Sequence, residues 1–112
     1  MNKEEMKWAV VEHWLDIWQR TNAGEFDNAE PGAIPSGAGD CAYCQKYAIG
    51  GLATCLECPV ARHTKKTGCV GTPWVRVNEI NSWTKQVPCR HTALVEAVEA
   101  EYAFLVEIAL ED

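Results

Sequence analysis

The sequence lacks any long apolar run that is free of charged residues. In the first residues, MNKEEMKWAVVEHW, charged side chains interrupt every candidate run. A secretory signal needs an apolar segment and a membrane-spanning helix needs a longer one, both without such interruptions. We therefore expect neither feature, and we expect the protein to be cytoplasmic.

Motifs for the common types of catalysis are also missing. The sequence contains no glycine-rich phosphate loop, no nucleophile-elbow serine and no HExxH pair. A zinc deaminase needs His-x-Glu, and neither His13 nor His63 has a glutamate two residues later. No strand pattern precedes Cys41, as a thioredoxin-like CxxC would require. We predict that the protein is not an enzyme.

What is present describes one folded domain. A chain of 112 residues buries roughly two-thirds of its unfolded surface on folding. The apolar fraction is 47% and the sequence has five tryptophans, which argues against disorder. No internal repeat interrupts the pattern. The prediction is a single domain over residues 1–112, with helical segments at 1–23 and 92–112 and a cysteine-rich insert at 40–74.

The charge is unevenly distributed along the chain. The net charge is −6, and residues 91–112 hold six acidic side chains and no basic one. The middle of the chain is basic. We favour the interpretation that this middle packs beside the two acidic ends. The alternative is a local nucleic-acid surface formed by the six basic residues of 61–90, which are Arg62, Lys65, Lys66, Arg76, Lys85 and Arg90.

Apolar periodicity predicts two long amphipathic helices. The first runs from about Lys3 to Arg20, with Asn2 and Glu5 as a reciprocal cap at its start. We expect its tryptophans to pack in the core, whereas exposure of two of them would indicate a partner surface. His13 is expected in or beside the core. The second helix runs from Thr92 to about Leu110 and is expected to pack antiparallel on the first.

Five of the six cysteines lie in the insert, as Cys41-x2-Cys44, Cys55-x2-Cys58 and then Cys69. Two intervening residues allow one tight turn to direct both sulfurs at a single ion. We predict a short helix from about Cys41 to Ala48 and another that starts at Pro59. Thr72-Pro73 starts either one more helical turn or a short strand.

Four thiolates favour structural zinc, which is satisfied by tetrahedral closure. In a reducing cytoplasm, paired CxxC holds metal more readily than it forms disulfides. The default ligands are Cys41, Cys44, Cys55 and Cys58, and Cys69 is a substitute for one of them. The second interpretation is an iron–sulfur cluster, because a Cys-Pro step also occurs around such clusters. Cys89 and His91 are read as ordinary residues, since one intervening residue is not a standard chelating spacing.

The string CAYC, CLECPV, TGC and GTPW, over residues 41–74, resembles a group of small, functionally uncharacterised cysteine-rich proteins encoded in tailed-bacteriophage genomes. In that group an acidic amphipathic helix follows the same motifs, as residues 92–110 do here. The resemblance implies that Cys69 belongs with the first four cysteines. It implies no established activity, and it does not include Cys89 or the tryptophan-rich first helix.

Together these features predict a mainly α-helical fold, in which two long helices pack together around a loop-rich zinc-binding insert with short helices. The predicted function is a non-enzymatic binding protein of phage type that engages a host or defence protein in the cytoplasm of the infected bacterium. The alternative is a zinc-dependent nucleic-acid-binding or transcription-regulating module. A third reading is an iron–sulfur redox protein.

Overall fold

The computed structural model describes residues 2–27, 30, 32–36, 42–47, 58–65, 71–83, 87 and 89–111. Within these ranges the protein is mainly helical and contains no strand. The helices are α1 (Lys3–Asn22), α2 (Ala42–Tyr47), α3 (Pro59–Thr64), α4 (Pro73–Asn81) and α5 (Arg90–Glu111). The predicted mainly α-helical class is confirmed, whereas the strand reading after Pro73 is wrong because that segment is helical.

Helix α1 begins where the sequence predicts it. The Asn2 side chain accepts a hydrogen bond of 2.7 Å from the Glu5 backbone N–H and donates one of 2.9 Å to the Glu5 carboxylate. This reciprocal pair satisfies one of the N–H groups that a helix start leaves without partners. The helix extends to Asn22, two residues beyond the prediction, and Gly24 follows with a φ of +81°.

Helices α1 and α5 pack antiparallel, as predicted, and form the frame of the molecule. Phe26, just after α1, contacts Arg90 at the start of α5. Further along, Trp18 stacks on Tyr102. Because the residue number rises along α1 while that of its contact on α5 falls, the two helices run in opposite directions.

Helix α4 lies against α5 and completes the core. Thr72 is its N-cap and Pro73 its first residue, where the missing N–H of proline is tolerated. The apolar side chains of three helices meet here and are almost fully buried. They are Val10, Trp14 and Ile17 of α1, Val77 and Ile80 of α4, and Leu94, Val98, Leu105 and Ile108 of α5.

Ile34 and Ser36, which lie between α1 and α2 in the chain, are bonded to side chains of α4. The Asn81 amide donates to the Ile34 carbonyl at 3.1 Å and accepts from the Ile34 N–H at 3.0 Å. It also donates to the Ser36 hydroxyl at 3.3 Å. Trp74 adds an indole N–H bond to the Ser36 carbonyl. The backbone groups of Ile34 and Ser36 are therefore held by α4.

The start of α5 differs from the prediction. The helix begins at Arg90, two residues before Thr92, and Cys89 precedes it with a φ of +66°. Arg90 turns inward and is buried, although its charge suggested a surface position. Among the described residues, no helix combines the length and hydropathy needed to cross a bilayer.

Candidate metal centre

Helix α2 carries Cys44, the second cysteine of the first CxxC pair. The helix lies within the predicted range of Cys41 to Ala48. Its Tyr43 side chain is buried in the core, and α2 contacts α1. Cys44 is half-buried. The first pair is therefore attached to the frame through its second cysteine.

Helix α3 is preceded directly by Cys58, the second cysteine of the other pair. Cys58 is the N-cap residue, with φ −59° and ψ 137°, and Pro59 is the first helical residue as predicted. Only 7% of Cys58 is exposed, and Pro59, Val60 and Ala61 after it are buried. Helix α3 contacts α5. The second pair is thus attached to the other helix of the frame.

The remaining predicted ligands, Cys41, Cys55 and Cys69, lie outside the described residues. Within the described ranges, no group of three or more histidine, cysteine or acidic side chains is placed to hold a metal ion. Since only Cys44 and Cys58 of the five predicted ligands are described, the zinc prediction stays a prediction. Cys58 is buried and Cys44 is half-buried, and the burial of Cys58 fits the closed thiolate environment of a structural zinc site.

The two histidines that lie near cysteines in the sequence have other contacts. His63 Nδ1 lies 2.9 Å from a Glu111 carboxylate oxygen, and its ring meets Phe104 edge-on. His91 Nδ1 lies 2.6 Å from Asp27 Oδ1. Cys89 is exposed at the start of α5 and forms no disulfide. These contacts fit the interpretation that His91 and Cys89 are ordinary residues.

The predicted basic surface loses one of its members. Arg90 is only 3% exposed and donates to the Phe26 carbonyl at 2.6 Å, so it cannot contact nucleic acid in this structure. Arg62 on α3 and Lys65, the C-cap residue of α3, are exposed, and Arg76 on α4 is exposed and paired with Glu79. Lys66 and Lys85 lie outside the described residues.

The tryptophans of α1 are used mainly for packing. Trp14 is buried, and Trp8 and Trp18 are half-buried. His13 is half-buried and bonds the Pro35 carbonyl through Nε2 at 2.8 Å, which confirms its position beside the core. The prediction that these tryptophans pack in the core is therefore supported. None of the three is exposed, so α1 does not meet the criterion of two exposed tryptophans that would indicate a partner surface.

An aromatic and charged surface that was not predicted from the sequence is formed instead by α4 and Trp83, which follows it. The Arg76 guanidinium lies 5.0 Å from the centre of the half-buried Trp83 ring. Val75 beside it is 43% exposed, and Glu79 pairs with Arg76 at 3.4 Å. We call Val75, Arg76, Glu79 and Trp83 the α4 surface. The spacing of seven residues between Arg76 and Trp83 was the one feature of the sequence that could have indicated this surface.

No known protein family, curated protein or solved structure shows significant similarity to the chain.

Proposed function

We propose that the protein is a non-catalytic binding protein of phage type, in which a zinc–thiolate site fixes the insert and the fold presents it to a protein of the host bacterium. The observation that carries the proposal is the attachment of the two CxxC segments. Cys44 lies on α2, which contacts α1, and Cys58 begins α3, which contacts α5.

The packing of α1 against α5 supports the proposal that zinc would make the insert rigid. Because α1 and α5 are packed neighbours, the two cysteine-bearing helices are attached to one body. A metal ion bound by thiolates from both pairs would join the segments between them without requiring an additional apolar core. Rigid presentation favours binding because fewer side chains and loops must be ordered when the complex forms.

The α4 surface supports a protein as the partner. Arginine and tryptophan are enriched among the residues that dominate binding energy at protein interfaces. Arg76 of α4 and Trp83 just after the helix lie together, Val75 is exposed and Glu79 supplies the opposite charge. The surface follows the insert directly in the chain, since α4 begins at Pro73.

Metal analysis of single variants tests the zinc part of the proposal. Protein purified from a bacterium should contain one zinc ion, and Cys44→Ser and Cys58→Ser should lower that content and destabilise the insert. Cys89→Ser is the matched control because Cys89 is exposed and outside the insert. Full zinc content in both insert variants would contradict the proposed ligand set.

Affinity capture tests the binding part. Metal-loaded protein, immobilised at concentrations well above about 1 μM, should retain a specific bacterial protein from lysate. The double variant Arg76→Ala, Trp83→Ala should retain less of it, whereas Glu12→Ala, an exposed change on α1, should not. No specific retained protein, or equal retention by all variants, would contradict a partner at the α4 surface.

Nucleic-acid binding is the second candidate, favoured by the exposed Arg62 and Lys65 at the end of α3. Binding to oligonucleotides that falls steeply with salt, and that Arg62→Gln with Lys65→Gln abolishes, would support it. An iron–sulfur cluster at the same cysteines would make the purified protein brown. A colourless, zinc-containing protein rules out that reading.

A further inference from the structure

The corner where α1 ends and α5 begins contains a buried cation with incomplete hydrogen bonding. Arg90 is 3% exposed. Its Nη1 donates to the Phe26 carbonyl at 2.6 Å. Its Nε and Nη2 are buried, and neither has a hydrogen-bond partner among the described residues. Buried side-chain donors in proteins are nearly always paired, so these two nitrogens require an explanation.

The two unpaired nitrogens are neighbours on the guanidinium. Nε–H and one N–H of Nη2 point in parallel along the same side of the planar group, away from Nη1. This pair is the fork that binds two oxygens of a carboxylate or phosphate in a bidentate arrangement. The bond to Phe26 uses the opposite nitrogen and so fixes the orientation of the fork.

The charge of Arg90 is also without a counter-ion. In the described part of the chain no carboxylate forms an ion pair with Arg90. Asp27, the residue after Phe26, is bonded to His91 instead. A buried charge without an opposite charge destabilises the folded state. The positive end of the 22-residue α5 dipole adds to the local positive potential.

We propose that the Arg90 corner is a binding site for a small oxyanion, with two of its oxygens held by Nε–H and Nη2–H. The anion supplies the missing charge and both missing acceptors. Asp27, Cys89 and His91, the chain neighbours of Phe26 and Arg90, are exposed. This site is separate from the cysteine-rich insert and does not depend on zinc.

The arginine Nε–H signals in ¹⁵N NMR spectra test this assignment directly. The chain has four arginines, so four signals are expected, and single Arg→Lys variants assign them. Titration with inorganic phosphate and, separately, with sodium acetate should move the Arg90 signal saturably. A dissociation constant of about 1 mM or below is expected for at least one of the two anions.

Sodium chloride at matched ionic strength is the control for screening. The exposed Arg62 and Arg76 signals control for weak surface binding. A response to acetate alone identifies a planar carboxylate as the ligand, and a response to phosphate alone identifies a phosphoryl group. If the Arg90 signal moves no more than those of Arg62 and Arg76 in both titrations, the proposal is wrong.

Thermal stability gives an independent readout. A ligand that binds only the folded protein raises its melting temperature. The better anion should raise the melting temperature of the wild-type protein and of Cys58→Ser, but not that of Arg90→Lys, whose ammonium lacks the planar fork. Arg76→Lys should respond like wild type. An equal rise in Arg90→Lys would contradict the bidentate site.

Discussion

Trp18 on α1 and Tyr102 on α5 stack with their rings 2° from parallel and their centroids 6.0 Å apart. Direct face-to-face contact would place the centroids closer, near the optimal carbon separation of about 3.5–4.0 Å. The rings are therefore offset, which is the arrangement that the charge distribution of aromatic rings favours. This pair joins the frame helices along their length, beyond the corner at Phe26 and Arg90.

A double-mutant cycle should detect that stacking. Trp18→Leu and Tyr102→Leu should each destabilise the protein, with a coupling free energy of about 0.5–1.5 kcal/mol in urea denaturation. Trp18→Leu combined with Trp74→Leu is the control, because Trp74 bonds Ser36 and has no described ring contact with Trp18. That pair should be additive within about 0.5 kcal/mol. Additivity of the stacked pair would contradict the prediction.

Removal of the Asn81 side chain should release Ile34 from α4. Asn81→Ala leaves the Ile34 N–H and carbonyl without their partners, and each unsatisfied buried group costs about 1–3 kcal/mol. We expect a loss of at least about 2 kcal/mol in the free energy of unfolding. Asn78→Ala on the exposed side of the same helix should change it by no more than about 0.5 kcal/mol. Equal losses in the two variants would be inconsistent with this clamp.

Alanine variants of Gly24 and Gly32 should distinguish the effect of backbone strain from that of a side-chain contact. Both have positive φ, +81° and +86°, which disfavours residues with a Cβ. A Cβ at Gly24 would also lie 3.0 Å from Asp27 Oδ2, whereas nothing lies within 4 Å at Gly32. Gly32→Ala should cost about 1–2 kcal/mol. Gly24→Ala should cost more, because it also disturbs the Asp27 carboxylate that bonds His91. Thermal denaturation at equal pH compares them, and a smaller loss at Gly24 would refute the contact argument.

The first turn of α1 should be sensitive to acid. The pKa of Glu4 is lowered chiefly by the hydrogen bond from the Trp8 indole N–H, and then by the hydrogen bond from Lys7. A lowered pKa in the folded state contributes stability above the unfolded pKa, and that contribution disappears as the pH falls through the folded pKa. Trp8→Phe removes the main donor, so the Glu4 pKa should rise toward its ordinary value of about 4.3. ¹³C NMR titration of the carboxyl group measures this, and an unchanged pKa would contradict the assigned cause.

Local sequence signals predicted the parts of the fold that local physics decides. Asn2 and Glu5 mark the start of α1, and Pro59 marks the start of α3. Each signal acts within a few residues. Asn2 and Glu5 act by capping the helix, and Pro59 acts through its fixed φ. The antiparallel frame followed because both long helices have a wide apolar face that must be covered.

The parts that sequence reasoning missed depend on distant partners. Phe26 lies in a polar stretch, yet its side chain is buried. Its carbonyl accepts a hydrogen bond from Arg90, which is 64 residues away in the chain. Asn81 forms two hydrogen bonds through its side chain with Ile34, which lies 47 residues earlier in the chain. Contacts between residues so far apart leave no local pattern in the sequence. The charge of Arg90 therefore predicted an exposed position, whereas the side chain is buried.

Metal removal should affect the insert more than the frame. The helices α1, α4 and α5 supply most of the buried core. Helices α2 and α3 add Tyr43, Val60 and Ala61 to it, and their six residues each are too few for stability without tertiary contacts or metal. A strong chelator should therefore remove hydrogen-exchange protection from residues 42–47 and 58–64 while core amides of α1 and α5 stay protected. Zinc should restore protection, and Cys89→Ser should behave like wild type in both states. If chelation instead unfolds α1 and α5 cooperatively with the insert, the frame does not fold on its own core. If chelation changes nothing, the insert is not held by metal.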